Sequence, residues 1–195
     1  VVFALAVVIG AALLAAAMGG RLSGFTTLDV RGVRYLTVAV VSQALAGVLA
    51  ASAGTSTLYL AGLALSAAAA LVFCVINRQL PGVALVTAGL VGNALVVGLN
   101  GAMPVSIFAA SRAGVSIESI AAGNDPRHTV AGYGSTWRAL GDVIPVPLPV
   151  VPEVISPGDV LVAAGLGELM VVGMRRRPAP REVASRQESA VALPG

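Results

Sequence analysis

Four stretches of the sequence, 1–19, 35–53, 58–76 and 81–99, run without a single charged side chain. A helix crossing a hydrocarbon layer about 30 Å thick takes roughly 20 residues at 1.5 Å each, so each stretch is a candidate span. A soluble fold must clothe its surface in polar groups, and about 25% of its residues are charged. Here only 11% of the 195 residues are charged while 57% are hydrophobic. The excess apolar surface has to meet lipid, and the chain reads as an integral membrane protein. A fifth stretch, 157–174, carries Asp159 at its entrance and Glu168 inside it. The expected fold class is all-α, an integral membrane bundle of five transmembrane helices over residues 1–174. Residues 101–156 are expected to form an exterior loop region of short helices with a proline-rich strap. Residues 175–195, polar and without periodicity, are expected to be a disordered cytoplasmic tail.

The basic residues set an orientation. Arg21, Arg31 and Arg34 fall between spans one and two, Arg78 between three and four, and Arg175, Arg176, Arg177, Arg181 and Arg186 after span five. With five crossings all of these share one side, which the positive-inside rule makes cytoplasmic, placing the N-terminus outside. The first run lacks a basic segment before it and meets its first positive charge only at Arg21, an order that suits a retained helix better than a cleaved signal peptide. The formal charge of +3 is therefore assigned to orientation and lipid headgroups. The expected partner is the lipid bilayer, with room for a membrane-protein partner or a homo-oligomer, and no nucleic acid.

Residues 101–156 carry local signals. Ser106 as N-cap with Gly114 as stop, and Ser116 with Gly123, predict two short interfacial helices with Ile107, Phe108, Ile117 and Ile120 turned inward. Tyr133 and Trp137 suit the headgroup level. Pro145, Pro147, Pro149 and Pro152 forbid helix, and the apolar Val146, Leu148 and Val150 between them predict an extended strap laid over the helix ends. In "SPGD", Ser156 reads as an N-cap, Pro157 as the first helical residue and Asp159 as the third, a capping box with Asp in place of Glu.

Polar groups inside lipid are the first place to look for function, because an unpaired one is costly there. Counted along the helices, Glu168 lies about 17 Å from the outer face, Gln43 about 12 Å and Asn93 about 18 Å from the inner face. Gln43, Asn93 and Glu168 are thus a candidate mid-membrane polar cluster. Gly82, Gly89, Asn93, Val96 and Asn100 fall on one stripe of span four, which should face protein, and Gly62, Ser66 and Ala70 form a small-residue edge on span three. Amides in such helices serve most often as packing contacts.

Outside the membrane, Asn100, His128 and Asp142 are a candidate exterior face. The lone histidine excludes a multi-histidine metal site, and no nucleophile elbow, phosphate loop or dinucleotide fingerprint occurs. Cys74 lies inside an apolar run with no partner for a disulfide. No cofactor, metal or catalytic residue is expected.

Taken in order, "GGRLSG", Gln43, "NRQLPG", Asn93, "NGAMPVS", "LGDVIPVPLP" and "SPGDV" resemble an uncharacterised bacterial family of small multispanning membrane proteins classed as a domain of unknown function. The resemblance implies a compact membrane fold, in the bacterial cytoplasmic membrane, in which "NGAMPVS" and "LGDVIP" belong together. It transfers no activity. Three functions stay open. The missing catalytic set favours a non-enzymatic binding, accessory or assembly component. A proton-linked permease would use Gln43, Asn93 and Glu168, and a membrane enzyme would act near Asn100, His128 and Asp142.

Overall fold

The structure, a computed structural model, describes residues 2–53, 56–149 and 151–176. It is mostly helical. Five long helices, α1 (Val2–Ala17), α2 (Val33–Ala53), α3 (Ser56–Ile76), α4 (Val83–Asn100) and α7 (Pro157–Arg175), carry a cap built between α4 and α7. The cap holds β1 (Met103–Val105), α5 (Ile107–Ala113), α6 (Glu118–Ala121), β2 (His128–Val130), β3 (Ile144–Val146) and β4 (Glu153–Ile155).

Three helices are long and apolar enough to cross a membrane: Thr57–Ile76, Val83–Asn100 and Pro157–Arg175. Val2–Ala17 is a shorter apolar helix, and Val33–Ala46 is an apolar part of α2. Of the five spans expected from the apolar runs, three are therefore matched by helices of sufficient length and hydropathy among the described residues. At 1.5 Å per residue the 16 residues of α1 reach about 24 Å, because Gly19 turns the chain in the left-handed region at φ 81°.

Neighbouring helices pack in the series α2, α3, α4, α7, α1. One end of the bundle gathers the arginine-bearing turns. There the amide of Arg21 donates to the carbonyl of Met174 at 2.7 Å, and buried Asn77 clasps Arg31, accepting from its N–H at 2.9 Å and donating to its carbonyl at 2.8 Å. At the opposite end the carboxylate of Glu153 accepts the N–H groups of Val2 and Phe3, both at 2.8 Å, and ties the first turn of α1 to the cap.

Glycines set the two closest helix contacts. A Cβ on Gly62 would overlap Ala46, bringing α3 hard against α2. Between α4 and α7 the fit is tighter still. A Cβ on Gly82 or Gly165 would run into the other's carbonyl oxygen, and one on Gly89 into that of Gly158. Both glycine pairs are seven residues apart, so two antiparallel helices meet backbone to backbone at two successive levels.

In the cap, β1 pairs in parallel with β2, Met103 opposite His128. "NGAMPVS" and "LGDVIP" do meet: the amide of Asp142 donates to Pro104 at 2.8 Å, the amide of Ser106 donates to Asp142 at 2.9 Å, and Gly141 is pressed on the Pro104 carbonyl. Helix α5 forms between the expected signals, Ser106 accepting from Ala109 and Gly114 closing it at φ 81°. Its buried face is Ala109, Ala110 and Ala113, whereas Phe108 is 85% exposed and Ile107 points outward with it. The inward orientation expected for those two side chains is thus reversed, because α5 packs on β3 and β4 with its alanine face buried.

The proline-rich segment is also different from a strap. It folds back on itself, β3 pairing antiparallel with β4 with Ile144 opposite Ile155 and Pro145 opposite Val154. In such a ladder alternate residues direct their N–H groups away from the partner, so alternating prolines are compatible with one edge. Of the expected disordered tail, 177–195 lies outside the described residues.

Candidate functional site

Ser156 and Asp159 form the expected capping box, each side chain accepting the other's backbone N–H, at 3.0 and 2.9 Å. This helix start is not at the bundle surface. It is sunk beside Asn93, one full heptad inside the C-terminal end of α4, or about 10 Å. Asn93 donates to Asp159 Oδ1 at 2.9 Å and accepts from the Ser156 hydroxyl at 2.8 Å. A Cβ on Gly158 would overlap the Asn93 side-chain oxygen, so glycine there is what lets the amide in.

Because α7 starts deep, its remaining length carries Glu168 past the bundle centre. With Gly158 opposite Gly89 and Gly165 opposite Gly82, the same register puts Glu168 level with the turn preceding α4. It is exposed there and does not line the space that Gln43 and Asn93 share. Of the three residues expected at one depth, Gln43 and Asn93 line one cavity and Glu168 does not, since the depth count placed Pro157 at the outer face.

The shared space is a chamber of about 800 Å³ beneath the cap. Phe3 of α1 and Gln43 of α2, from the two ends of the helix series, both line it, so the series curls around it. Tyr59 and Ser66 of α3, Asn93 of α4 and Asp159 of α7 complete the helical wall, and Asp125, Arg127, His128, Asp142 and Glu153 close it from the cap. From Tyr59 to Ala70 the lining descends α3 by about 16 Å.

Within the cap wall Asp125 is the hub. Its carboxylate takes His128 Nδ1 at 2.8 Å and Arg127 Nε at 3.3 Å, and the Arg127 amide at 2.9 Å. Burial works to raise the Asp125 pKa, but these partners outweigh it and hold the group below the ordinary carboxylate value. The imidazole, fixed through Nδ1, presents Nε2 to the Asp142 carboxyl at 3.7 Å, beyond hydrogen-bond reach. The Asp142 side chain is only 8% exposed. Burial, and then the nearby charge of Asp159, push its pKa up to about 7.

Asn100 is elsewhere. It donates to the carbonyls of Val96 and Thr136 and accepts from the Thr136 amide at 2.8 Å, so it pins the 131–137 loop to the end of α4. The exterior face expected from Asn100, His128 and Asp142 is thereby reduced to the last two, because both faces of the Asn100 amide are spent on main chain. Asp125 and Tyr59 belong to the chamber yet were not singled out by sequence. The His128 spacing from Asp125, one i to i+3 step after a turn, is a signal that was available for the former. Among the described residues no group of three or more His, Cys, Asp or Glu side chains is placed to hold a metal ion.

Comparison with known families adds one match, over residues 27–171, which contain the glycine pairs, the Asn93 junction and the whole cap. The chain belongs to DUF5317, a family of unknown function. No curated protein and no solved structure matches it. The matched region of this DUF5317 member begins after α1 and ends within α7, so both walls of the α4–α7 contact lie inside it.

Proposed function

We propose that this DUF5317 protein is a five-span integral membrane protein of the bacterial cytoplasmic membrane. Its arginine-rich end faces the cytoplasm, and it acts as a binding component that holds a small organic cation in the chamber under its outer cap. The observation that carries the reading is Asp142, a carboxyl that lines an 800 Å³ chamber with its side chain only 8% exposed and with His128 Nε2 3.7 Å away. A carboxyl that faces a cavity is suited to a polar or cationic ligand. The charge balance of the wall gives the sign. Asp125, Asp142 and Asp159 stand against Arg127 and His128, and both of those basic groups hydrogen-bond to Asp125. The lower lining, with Leu63, Ala67, Ala70 and Leu90, suits an apolar substituent on the cation.

The only cysteine, Cys74, is buried and can be replaced by serine, after which single cysteines report on water access. In that background Ser66→Cys, inside the chamber, should react with a membrane-impermeant maleimide, and Leu65→Cys, on the outer apolar face, should not. Hexyltrimethylammonium should protect Ser66→Cys while heptanoate leaves it reactive. An unreactive Ser66→Cys would remove the chamber; equal protection by both probes would remove the cation.

A second reading, a proton-linked permease, draws on the Asp142 pKa of about 7 beside Asp159. It requires proton flux in proteoliposomes that Asp142→Asn abolishes, whereas a binding component leaves the internal pH unchanged.

A further inference from the structure

At the other end of the bundle lies a second concavity, of about 600 Å³, lined by Arg21, Arg175 and Arg176 together with Ser23, Gly19 and Gly20. Among the described residues no acidic side chain contributes to its lining. Of the described acids at this end of the bundle, Asp29 is engaged by Arg31 and Glu168 is outside the concavity. We propose that this concavity is a binding site for a phosphate-bearing anion, with a phospholipid headgroup at the membrane surface as its source. The site is independent of the chamber under the cap.

The backbone builds it deliberately. Helix α1 ends, Gly19 reverses the chain, and Gly20 is pressed so closely on α7 that a Cβ would stand 2.8 Å from the Ala15 oxygen and 3.2 Å from the Met174 carbonyl carbon. Arg21 is then locked to the last turn of α7 through its amide bond to Met174 at 2.7 Å. Gly24 sits on the carbonyls of Gly173 and Arg176, and the Phe25 ring covers Gly173, where even a methyl group would come within 2.6 Å of it. Main-chain contacts therefore hold Arg21 beside Arg175 and Arg176, three like charges with no counter-charge among the described residues of the lining. Such proximity is unfavourable by itself and favourable around an anion. Guanidinium forks match phosphate oxygens two at a time, and the Ser23 hydroxyl adds a neutral donor. The C-terminal ends of α1 and α7 carry partial negative charge, which favours the arginines and opposes the anion, so the guanidinium contacts have to outweigh it. A basic pocket between helices at the headgroup level is where an anionic lipid is accessible.

The test uses the full chain purified in a neutral detergent, with dissociation constants read by native mass spectrometry and melting temperature. Phosphatidylglycerol should bind and stabilise, and phosphatidylcholine should not. Arg21→Gln combined with Arg176→Gln should weaken phosphatidylglycerol roughly ten- to hundred-fold, the loss of one or two charge-assisted contacts. Arg112→Gln, on the cap, should leave it unchanged. Inorganic phosphate distinguishes the sources: stabilisation by millimolar phosphate, lost in the double variant, assigns the same anion chemistry to a free phosphate. Equal stabilisation by phosphatidylcholine, or equal weakening by Arg112→Gln, overturns the site. If the double variant does not fold, Arg21→Lys with Arg176→Lys keeps charge while losing the fork, and must weaken binding less than tenfold for the proposal to stand.

Discussion

Gly89→Ala tests whether the α4–α7 contact holds the site together. In an isolated helix interior alanine is better than glycine by about 0.8–1.0 kcal/mol, so propensity alone predicts a more stable protein. The contact predicts the opposite. A methyl group on Gly89 would overlap the Gly158 carbonyl oxygen and lie 2.8 Å from a Val162 methyl carbon and 3.0 Å from the Val162 nitrogen. Two of these three neighbours are main chain and cannot swing away, so α7 must shift. The shift strains the Asn93 bonds to Asp159 and Ser156, 2.9 and 2.8 Å long. Losing the charge-assisted bond is worth about 1.5–3 kcal/mol and the hydroxyl bond about 0.5–1.5 kcal/mol. Set against the propensity gain, the net is a destabilisation of about 1–4 kcal/mol. The control is Gly92→Ala on the same helix, where an added Cβ meets nothing within 4 Å and stability should rise or hold. Unfolding in mixed micelles under increasing SDS, followed by circular dichroism, gives both values. Equal stability of the two variants would mean that the helices are not in backbone contact, and the sunk start of α7 would fall with it.

Three further outcomes follow from the same geometry. Asn77→Leu should lower stability by roughly 2–4 kcal/mol, since it leaves both main-chain groups of Arg31 unpaired, with Asn77→Asp intermediate because it still accepts from the Arg31 amide; an unchanged unfolding midpoint refutes the clasp. Asp142 has its pKa raised from 3.8 to about 7, so its favourable contribution is complete below about pH 4 and lost as pH rises through 7. The wild type should therefore lose a few kcal/mol relative to Asp142→Asn between pH 4 and 8, at about 1.4 kcal/mol per pKa unit, and parallel melting curves for the two would contradict the burial. Glu168→Gln should leave stability within about 0.5 kcal/mol, as for other exposed positions, and a larger loss would place the carboxyl back in the protein interior.

How much was legible from sequence depends on whether the signal was local. Ser156, Pro157 and Asp159 announce a helix start by their own hydrogen-bonding capacity, and the capping box forms there. Ser106 and Gly114 bracket α5 for the same reason. The apolar character of the helices was legible too, from composition alone, three of them are long and apolar enough to cross a membrane, and Leu65 and Val75 on one of these are exposed. What periodicity cannot give is the identity of the surface a residue meets. Phe108 looked like a core residue on an amphipathic turn, but α5 buries Ala109, Ala110 and Ala113 and leaves Phe108 85% exposed. The proline run looked extended, and it is, yet its pairing with Glu153–Ile155 is a contact between segments that no local rule specifies.

The position of the site turned on a single offset that sequence does encode, though in two places at once. Counting from Pro157 as if it lay at the membrane surface put Glu168 at mid-depth, whereas the glycine pairs Gly82/Gly89 and Gly158/Gly165 fix α7 one heptad lower against α4. Equal spacing on two antiparallel helices admits this register, with each glycine opposite another, and any shift of one residue drives a side chain into main chain. The consequence is chemical. Lowering α7 carries its N-terminal turn, with Ser156 and Asp159, to the level of Asn93. The β3–β4 hairpin that precedes it must follow, and Asp142 at the hairpin's foot is drawn into the wall shared with His128. A carboxyl that would be solvated on a surface loop thereby becomes buried next to a second carboxyl, and its ionisation moves to about pH 7. Two glycine pairs between α4 and α7 thus bear on the acidity of a group in the cap, which is why the sequence could name Gln43, Asn93, His128 and Asp142 but not bring them into one chamber.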